Sequence, residues 1–528
     1  MLITPVMNGK GDSPNRDPWI RVVRTELKPP SLRDNTGDVD RVIKGLHKRI
    51  PGVIIIPEFS LIKRSPAILR DRGYDVEALL YEQTATWKLF DLLPRGPKKS
   101  LNGLAVDLGS STLVVRLLNL ETGEVEEEIS FLNPQTEIGA DILTRIHYAG
   151  QPGGLVKLQR LVVDSLNREI HRVAATRGMD PESILGVVVA GNTTMTHLFL
   201  GLDPQWLCRE PYIPAANTFP LFKASEIGLG IHPEAPVLIF PNVGSYFGGD
   251  LIAGIIASGM SESEELSILV DVGTNAEIVL GNKDWLVGCA GAAGPALEGG
   301  VAGMGMMAGP GVIDKVTIDG ISGGVRIRTI GNTPPVGICG SGLIDLVAQL
   351  YLAGMIDVRG KFVPGKCWKS LRELDGIRHF VVVPSKASGT GHALTLAQTD
   401  IDALLRSKAA MYTILTTITN MVNVSFKDIT NFFIAGTFGS YIDPRSAIAL
   451  GMVPDLSPET YKPLGNTSLA GATRVLLSRK ARAKMDEVRD RITYIELNVN
   501  QEFMNLFSAA RFIPHTDVSL FPSVRPMT

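Results

Sequence analysis

Cysteine is scarce in this chain, and its four copies, Cys208, Cys289, Cys339 and Cys367, stand far apart. No C-x-x-C or C-x-C pair occurs, which argues against a local zinc or iron–sulfur loop. Reduced thiols buried as small apolar residues are the expected state, and no iron–sulfur cluster is expected in this chain. An excess of one charge is also lacking. Lys and Arg number 52 against 54 Asp and Glu, with no block of like charges long enough for a nucleic-acid surface or a polybasic membrane anchor. Small molecules or proteins are the partners such a balance favours. The most apolar stretch, Gly288 to Gly311, is broken by Pro295 and Glu298 and holds nine glycines among 24 residues, so it does not read as a transmembrane helix. The start, Met1-Leu2-Ile3-Thr4-Pro5, lacks the basic and apolar segments of a signal peptide, and a cytoplasmic location is expected.

What the chain does carry is one phrase written twice. An apolar run ends in Asp-x-Gly and small polar residues at Leu104-Ala105-Val106-Asp107-Leu108-Gly109-Ser110-Ser111-Thr112, and again at Ile268-Leu269-Val270-Asp271-Val272-Gly273-Thr274-Asn275. Each run reads as a buried strand, each glycine lets the backbone turn tightly, and the exposed amides and hydroxyls suit phosphate oxygens. Two copies point to two halves of one nucleotide-binding device. Asp107 and Asp271 then face a Mg²⁺ ion, which keeps most of its waters and takes only one or two carboxylates.

Further turns are weaker signals. Gly436-Thr437-Phe438-Gly439 closes an apolar strand and is a candidate base-and-ribose contact, or else an ordinary strand-to-helix loop. Gly340-Ser341-Gly342 opens a helix, where first-turn amides could hold an anion or simply be capped. Glu298 is the one charge in the glycine-rich stretch and a candidate for a catalytic or metal-facing role. Asp141 and Asp250 each follow a glycine turn at a helix start; either could orient the attacking water, or merely favour the helix dipole. His197 reads as a core residue.

At ~100–200 residues per domain, 528 residues allow two to four domains. Residues 1–18 read as a loose arm and 19–100 as a small α/β module ending in the polar linker Arg95 to Ser100. Two α/β segments follow, 101–265 and 266–528, each opening with the repeated phrase. The tail from Arg479 to Arg491 reads as a solvated charged helix, Tyr494 to Leu497 as an edge strand, and Phe503 to Phe521 as a segment folded back on the body.

Several phrases, in order, carry a family resemblance. They are Val106 to Thr112, Ala190-Gly191-Asn192-Thr193-Thr194-Met195-Thr196-His197-Leu198, Val270 to Ile278, Gly294-Pro295-Ala296-Leu297-Glu298-Gly299, Gly337-Ile338-Cys339-Gly340-Ser341-Gly342-Leu343 and Ala435-Gly436-Thr437-Phe438-Gly439. Together they resemble the superfamily of acetate and sugar kinases, heat-shock proteins and actin. More narrowly, residues 101 to 528 are similar to the ATPase part of the reductive activators of corrinoid enzymes. The resemblance implies two ribonuclease-H-like halves with a nucleotide cleft, preceded by a small α/β module. It also implies ATP hydrolysis that helps return cob(II)alamin to cob(I)alamin on the corrinoid protein of a methyltransferase system. Members of that family carry an iron–sulfur domain in the same chain; this sequence departs there, so the electron is expected from a separate ferredoxin-like donor or from an iron–sulfur domain missing from this stretch, or else the ATPase serves another use, with a homodimer left open. A small-molecule kinase of the same fold, or a nucleotide-gated chaperone or scaffold, are the competing readings.

Overall fold

The computed structural model describes residues 17–94, 101–272, 276–291, 302–319, 322–367, 370–436, 442–495 and 501–526. The chain divides into two compact units, Met1–Ile256 with Ser468–Arg489, and Ala257–Thr467 with Asp490–Thr528. No helix among the described residues is long and apolar enough to cross a membrane.

The first unit begins with the small module: β1 (Ile20–Glu26), α1 (Asp38–His47), β2 (Ile54–Pro57), α2 (Phe59–Asp71), β3 (Asp75–Gln83) and β4 (Thr86–Pro94), in sheet order β1-β3-β4-β2. Val42 and Leu46 on α1, and Leu61 and Leu69 on α2, fall at helical spacing and pack with Ile55, Val76, Leu80 and Leu89 of the sheet. Then come β5 (Asn102–Leu108), β6 (Thr112–Asn119), β7 (Val125–Leu132), α3 (Ile142–Ala149), α4 (Gly154–Arg177), β8 (Ile184–Gly191), α5 (Thr193–Leu200), β9 (Phe222–Lys223), β10 (Pro236–Ile239) and α6 (Gly249–Ser258). Their sheet runs β7-β6-β5-β8-β10-β9. Leu104, Val106 and Leu108 alternate onto one face, where they share a core with Leu158, Val162 and Leu166 of α4. The helix stops at Gly178 in left-handed conformation (φ 62°), as its sequence position suggests.

The second unit repeats the plan with β11 (Ser267–Val272), β12 (Ala276–Gly281) and β13 (Leu286–Gly291). A small sheet of β14 (Val312–Ile318), β15 (Val325–Thr329) and β16 (Gly337–Ile338) precedes α7 (Gly340–Leu352). A second small sheet, β17 (Leu371–Leu374), β18 (Ile377–Val383) and β19 (Leu394–Ala397), leads into α8 (Gln398–Met421). Next are β20 (Asn431–Ala435), α9 (Pro444–Leu450) and β21 (Tyr461–Gly465).

The chain then enters α10 (Thr467–Leu477) and α11 (Arg479–Arg491), whose residues Ser468–Arg489 belong to the first unit, and ends with β22 (Ile492–Ile495) and α12 (Gln501–Ala510). The main sheet of the second unit runs β21-β20-β11-β12-β13-β22, so β22 is the edge strand expected near Tyr494. The segment to Phe521 folds back as expected: Phe521 is buried, its ring 5.4 Å from that of Tyr412.

One expectation fails. The charged helix α11 docks on the small module instead of standing in solvent. Arg479 pairs with Glu82, and Arg482 lies 4.5 Å over the ring of the fully buried Trp19. Long arginine stems are apolar and their guanidinium planes stack on indole, so a helix that reads as polar all round can still be half of an interface.

Candidate functional site

The two Asp-x-Gly phrases occupy the same topological position. In the first unit β5 pairs antiparallel with β6, β6 with β7, and β5 lies parallel to β8 and β8 to β10. In the second unit β11 pairs antiparallel with β12, β12 with β13, and β11 lies parallel to β20 and β20 to β21. Asp107 stands opposite Ala190, and Asp271 opposite Ala435. Each alanine is followed by a glycine, Gly191 and Gly436, the latter with φ 84°. Both aspartates therefore sit at the carboxyl ends of central parallel strands, where open α/β sheets bind ligands.

In the first unit the turn after Asp107 is fixed by close approach. A Cβ on Gly109 would come 2.3 Å from the carbonyl oxygen of Thr112. The fully buried Asn133 holds the turn from beneath: its Nδ2 donates to the carbonyl of Gly109 (2.9 Å) and its backbone N–H to that of Ser111 (2.9 Å). Ser110, Ser111 and Thr112 are partly exposed at the rim. Asp107 accepts a hydrogen bond on Oδ1 from the hydroxyl of Ser468 on α10, at 2.7 Å. Asn192 caps α5 by accepting from the Met195 N–H (2.8 Å), and a Cβ on Gly248 would lie 2.4 Å from its Cα and 2.7 Å from Oδ1 of Asp250. That glycine brings the first turn of α6, with Asp250, against the start of α5.

In the second unit Asp271 stands directly opposite Glu277 across β11 and β12. Like charges placed so are unfavourable by themselves, and such a pair suits a cation. Carboxylate oxygens of this kind are the donors a hard divalent ion takes. Among the described residues no cluster of three or more His, Cys, Asp or Glu could hold a metal alone.

The other candidates fall as follows. Ser341 is buried at the start of α7, sharing a hydrogen bond with Cys339 Sγ (3.2 Å), and a Cβ on Gly342 would meet the carbonyl oxygen of Ile313 at 2.4 Å. Gly340 is buried beside it. Asp141 caps α3, accepting from the N–H (2.8 Å) and hydroxyl (2.6 Å) of Thr144, which lowers its pKa. His197 is a core residue: its Nδ1 bonds the Thr193 carbonyl at 2.7 Å, its Nε2 accepts from the Ala215 N–H at 3.0 Å, and burial lowers its pKa. Gly273, Thr274, Asn275, Glu298, Thr437, Phe438 and Gly439 lie outside the described residues.

Asn133, Glu277 and Ser468 lie against Gly109, Asp271 and Asp107, and the sequence motifs do not single them out. For Ser468 a signal existed, because Gly465-Asn466-Thr467-Ser468 repeats Gly191-Asn192-Thr193-Thr194, each joining a strand to a helix.

Three family profiles match the chain in succession: the linker region of RACo over residues 12–97, its middle region over 102–263, and its C-terminal ASKHA domain over 265–525. The corrinoid activation enzyme RamQ of Eubacterium limosum is 31% identical over 471 residues, covering 88% of this chain and 78% of that protein. The [Co(II) methylated amine-specific corrinoid protein] reductase of Methanosarcina barkeri is 23% identical over 438 residues, covering 77% and 76%. Among solved structures, a reductive activator for corrinoid, iron-sulfur protein superposes with a TM-score of 0.88 at 39% identity, covering 97% of this chain and 82% of that one.

Proposed function

The chain belongs to the RACo family of ASKHA-fold corrinoid activators, and from that premise we propose that it hydrolyses ATP in the cytoplasm to promote reduction of the cob(II)alamin protein of a methyltransferase system to the cob(I)alamin state. The observation that carries the reading is the pair of equivalent strand ends bearing Asp107 and Asp271 within a chain matched along its length by that family.

In this reading the amides and hydroxyls of residues 109–112 receive phosphate oxygens, as do Gly273, Thr274 and Asn275. Asp107 and Asp271 hold, through water, the Mg²⁺ that accompanies ATP, whose chemistry is to neutralise phosphate charge. Asp250 orients the attacking water, with Glu298 a second catalytic carboxylate. Gly340, Ser341 and the turn from Gly436 to Gly439 complete the nucleotide contacts. The electron comes from an iron–sulfur domain, whether carried by a separate ferredoxin-like protein or by the same polypeptide. Ordinary coupling of ~1–3 kcal/mol would move a one-electron potential by only about 40–130 mV, so ATP turnover drives a rearrangement of the bound corrinoid protein and resets it.

The test is ATP hydrolysis by the purified chain with and without a corrinoid methyl carrier in the cob(II) state. Stimulation by the carrier is expected, and Asp271→Asn should lower the stimulated rate about 10²-fold or more. Absence of stimulation across a panel of carriers, with phosphate passing to a small metabolite, would replace this reading with a kinase.

A further inference from the structure

We propose that Ser468 is the positioning residue for Asp107, holding its carboxylate in the orientation that the metal–nucleotide complex requires; the inference rests on the ATPase reading above. It stands on the way α10 lies along β5. Because Leu104, Val106 and Leu108 point into the core beside α4, Gly103, Ala105 and Asp107 form the opposite face of the strand. Helix α10 covers that face. Leu476 lies over Gly103, where a Cβ would come 3.0 Å from its Cδ2, and Ser468 reaches Asp107 at 2.7 Å.

The two contacts fix one register. Eight helical residues advance about 12 Å, and four strand residues about 13–14 Å. Helix and strand thus run antiparallel, matched at both ends, and Ser468 has no freedom to slide past Asp107.

Contacts along the helix hold it there. A Cβ on Gly471 would lie 2.1 Å from the carbonyl oxygen of Ala253, so α10 and α6 touch backbone to backbone. Thr473 accepts from Arg116 Nη1 (3.1 Å), the Val475 carbonyl accepts from the indole of Trp19 (2.9 Å), and Arg474 donates to the Ile256 carbonyl (2.8 Å). Ser468 is 6% exposed. A buried hydroxyl at that distance from a carboxylate oxygen makes a charge-assisted bond, and the first turn of the helix favours the anion further. The serine touches neither phosphate nor metal; it fixes the orientation of one carboxylate oxygen.

The experiment uses the full chain as wild type, Ser468→Ala, Ser468→Thr and Asp107→Asn. Circular dichroism and the melting temperature without ligand check the fold. Calorimetric binding of ADP across a Mg²⁺ titration then serves beside kcat and KM for ATP. Ser468→Ala should raise the half-saturating Mg²⁺ concentration roughly tenfold and lower kcat while leaving KM for ATP at saturating Mg²⁺ near that of the wild type. Ser468→Thr, which keeps the hydroxyl, should restore both to within about threefold. If Ser468→Ala binds Mg²⁺ and ADP as wild type does while Asp107→Asn abolishes binding, the positioning role is wrong and the ATPase reading stands. If Asp107→Asn changes neither binding nor turnover, the ATPase reading falls and takes this proposal with it. Should the alanine variant misfold, a folded Ser468→Thr whose half-saturating Mg²⁺ concentration departs from the wild type's by more than about threefold overturns the proposal.

Discussion

Lys408 is fully buried on α8, its Nζ donating to the carbonyls of Phe512 (2.6 Å) and Pro514 (2.7 Å). Burial drives its pKa well below the ordinary lysine range. The unfolded chain keeps that proton to about pH 10.4, so between the two values the unfolded state binds more protons. Stability then rises with pH, is complete above the unfolded value and is lost as pH falls toward the folded one. His515, lowered by burial first and by Lys408 next, acts in the same direction below its own unfolded value. Urea unfolding of the wild type should gain up to about 1.4 kcal/mol per pH unit as pH rises toward the unfolded value of about 10.4. Lys408→Met should flatten that slope and, at pH 9, lose about 1–3 kcal/mol for two carbonyls left unpaired. An equal slope in the variant would assign the dependence to other groups.

Among the elements, α10 is the one most tightly specified by its neighbours. Gly471 meets the carbonyl oxygen of Ala253 so closely that Gly471→Val should cost about 1–3 kcal/mol or more. That cost is read as a lower melting temperature, and an unchanged one would show that α6 yields easily. The same element marks where sequence reading stops. Both central strands and the edge strand near Tyr494 were legible, because apolar runs and Asp-x-Gly turns are local signals. The hydroxyl that meets Asp107 was not, since Ser468 arrives from 361 positions away and the phrase it shares with Gly191 to Thr194 marks a strand-to-helix turn without telling which carboxylate it meets. Asn133 escaped for a related reason: an asparagine at the end of β7 reads as a turn former, and only the fold turns it toward Gly109. The acid pair Asp271 and Glu277 needed the strand register, which side-chain alternation alone leaves open to slips of two residues.

At the scale of the whole molecule, the first unit is completed by a segment synthesised long after the rest of it, Ser468–Arg489. Without that segment Trp19 loses the Val475 carbonyl and the stacked Arg482, Glu82 loses Arg479, and the Gly103–Asp107 face of β5 loses its covering helix. Exposing one large buried apolar side chain by itself costs about 1.5–3 kcal/mol, against a total of only about 5–15 kcal/mol for a domain. Residues 17–256 expressed alone should therefore bind a hydrophobic dye and melt without a cooperative transition. Joining residues 468–489 to residue 256 by a flexible linker about tenfold shorter than the natural intervening chain should restore the transition, with about 2 kcal/mol less closure cost to overcome. A cooperative melt by residues 17–256 alone, at the temperature of the joined form, would mean that α10 and α11 rest on a finished domain and that their contacts add little to its stability.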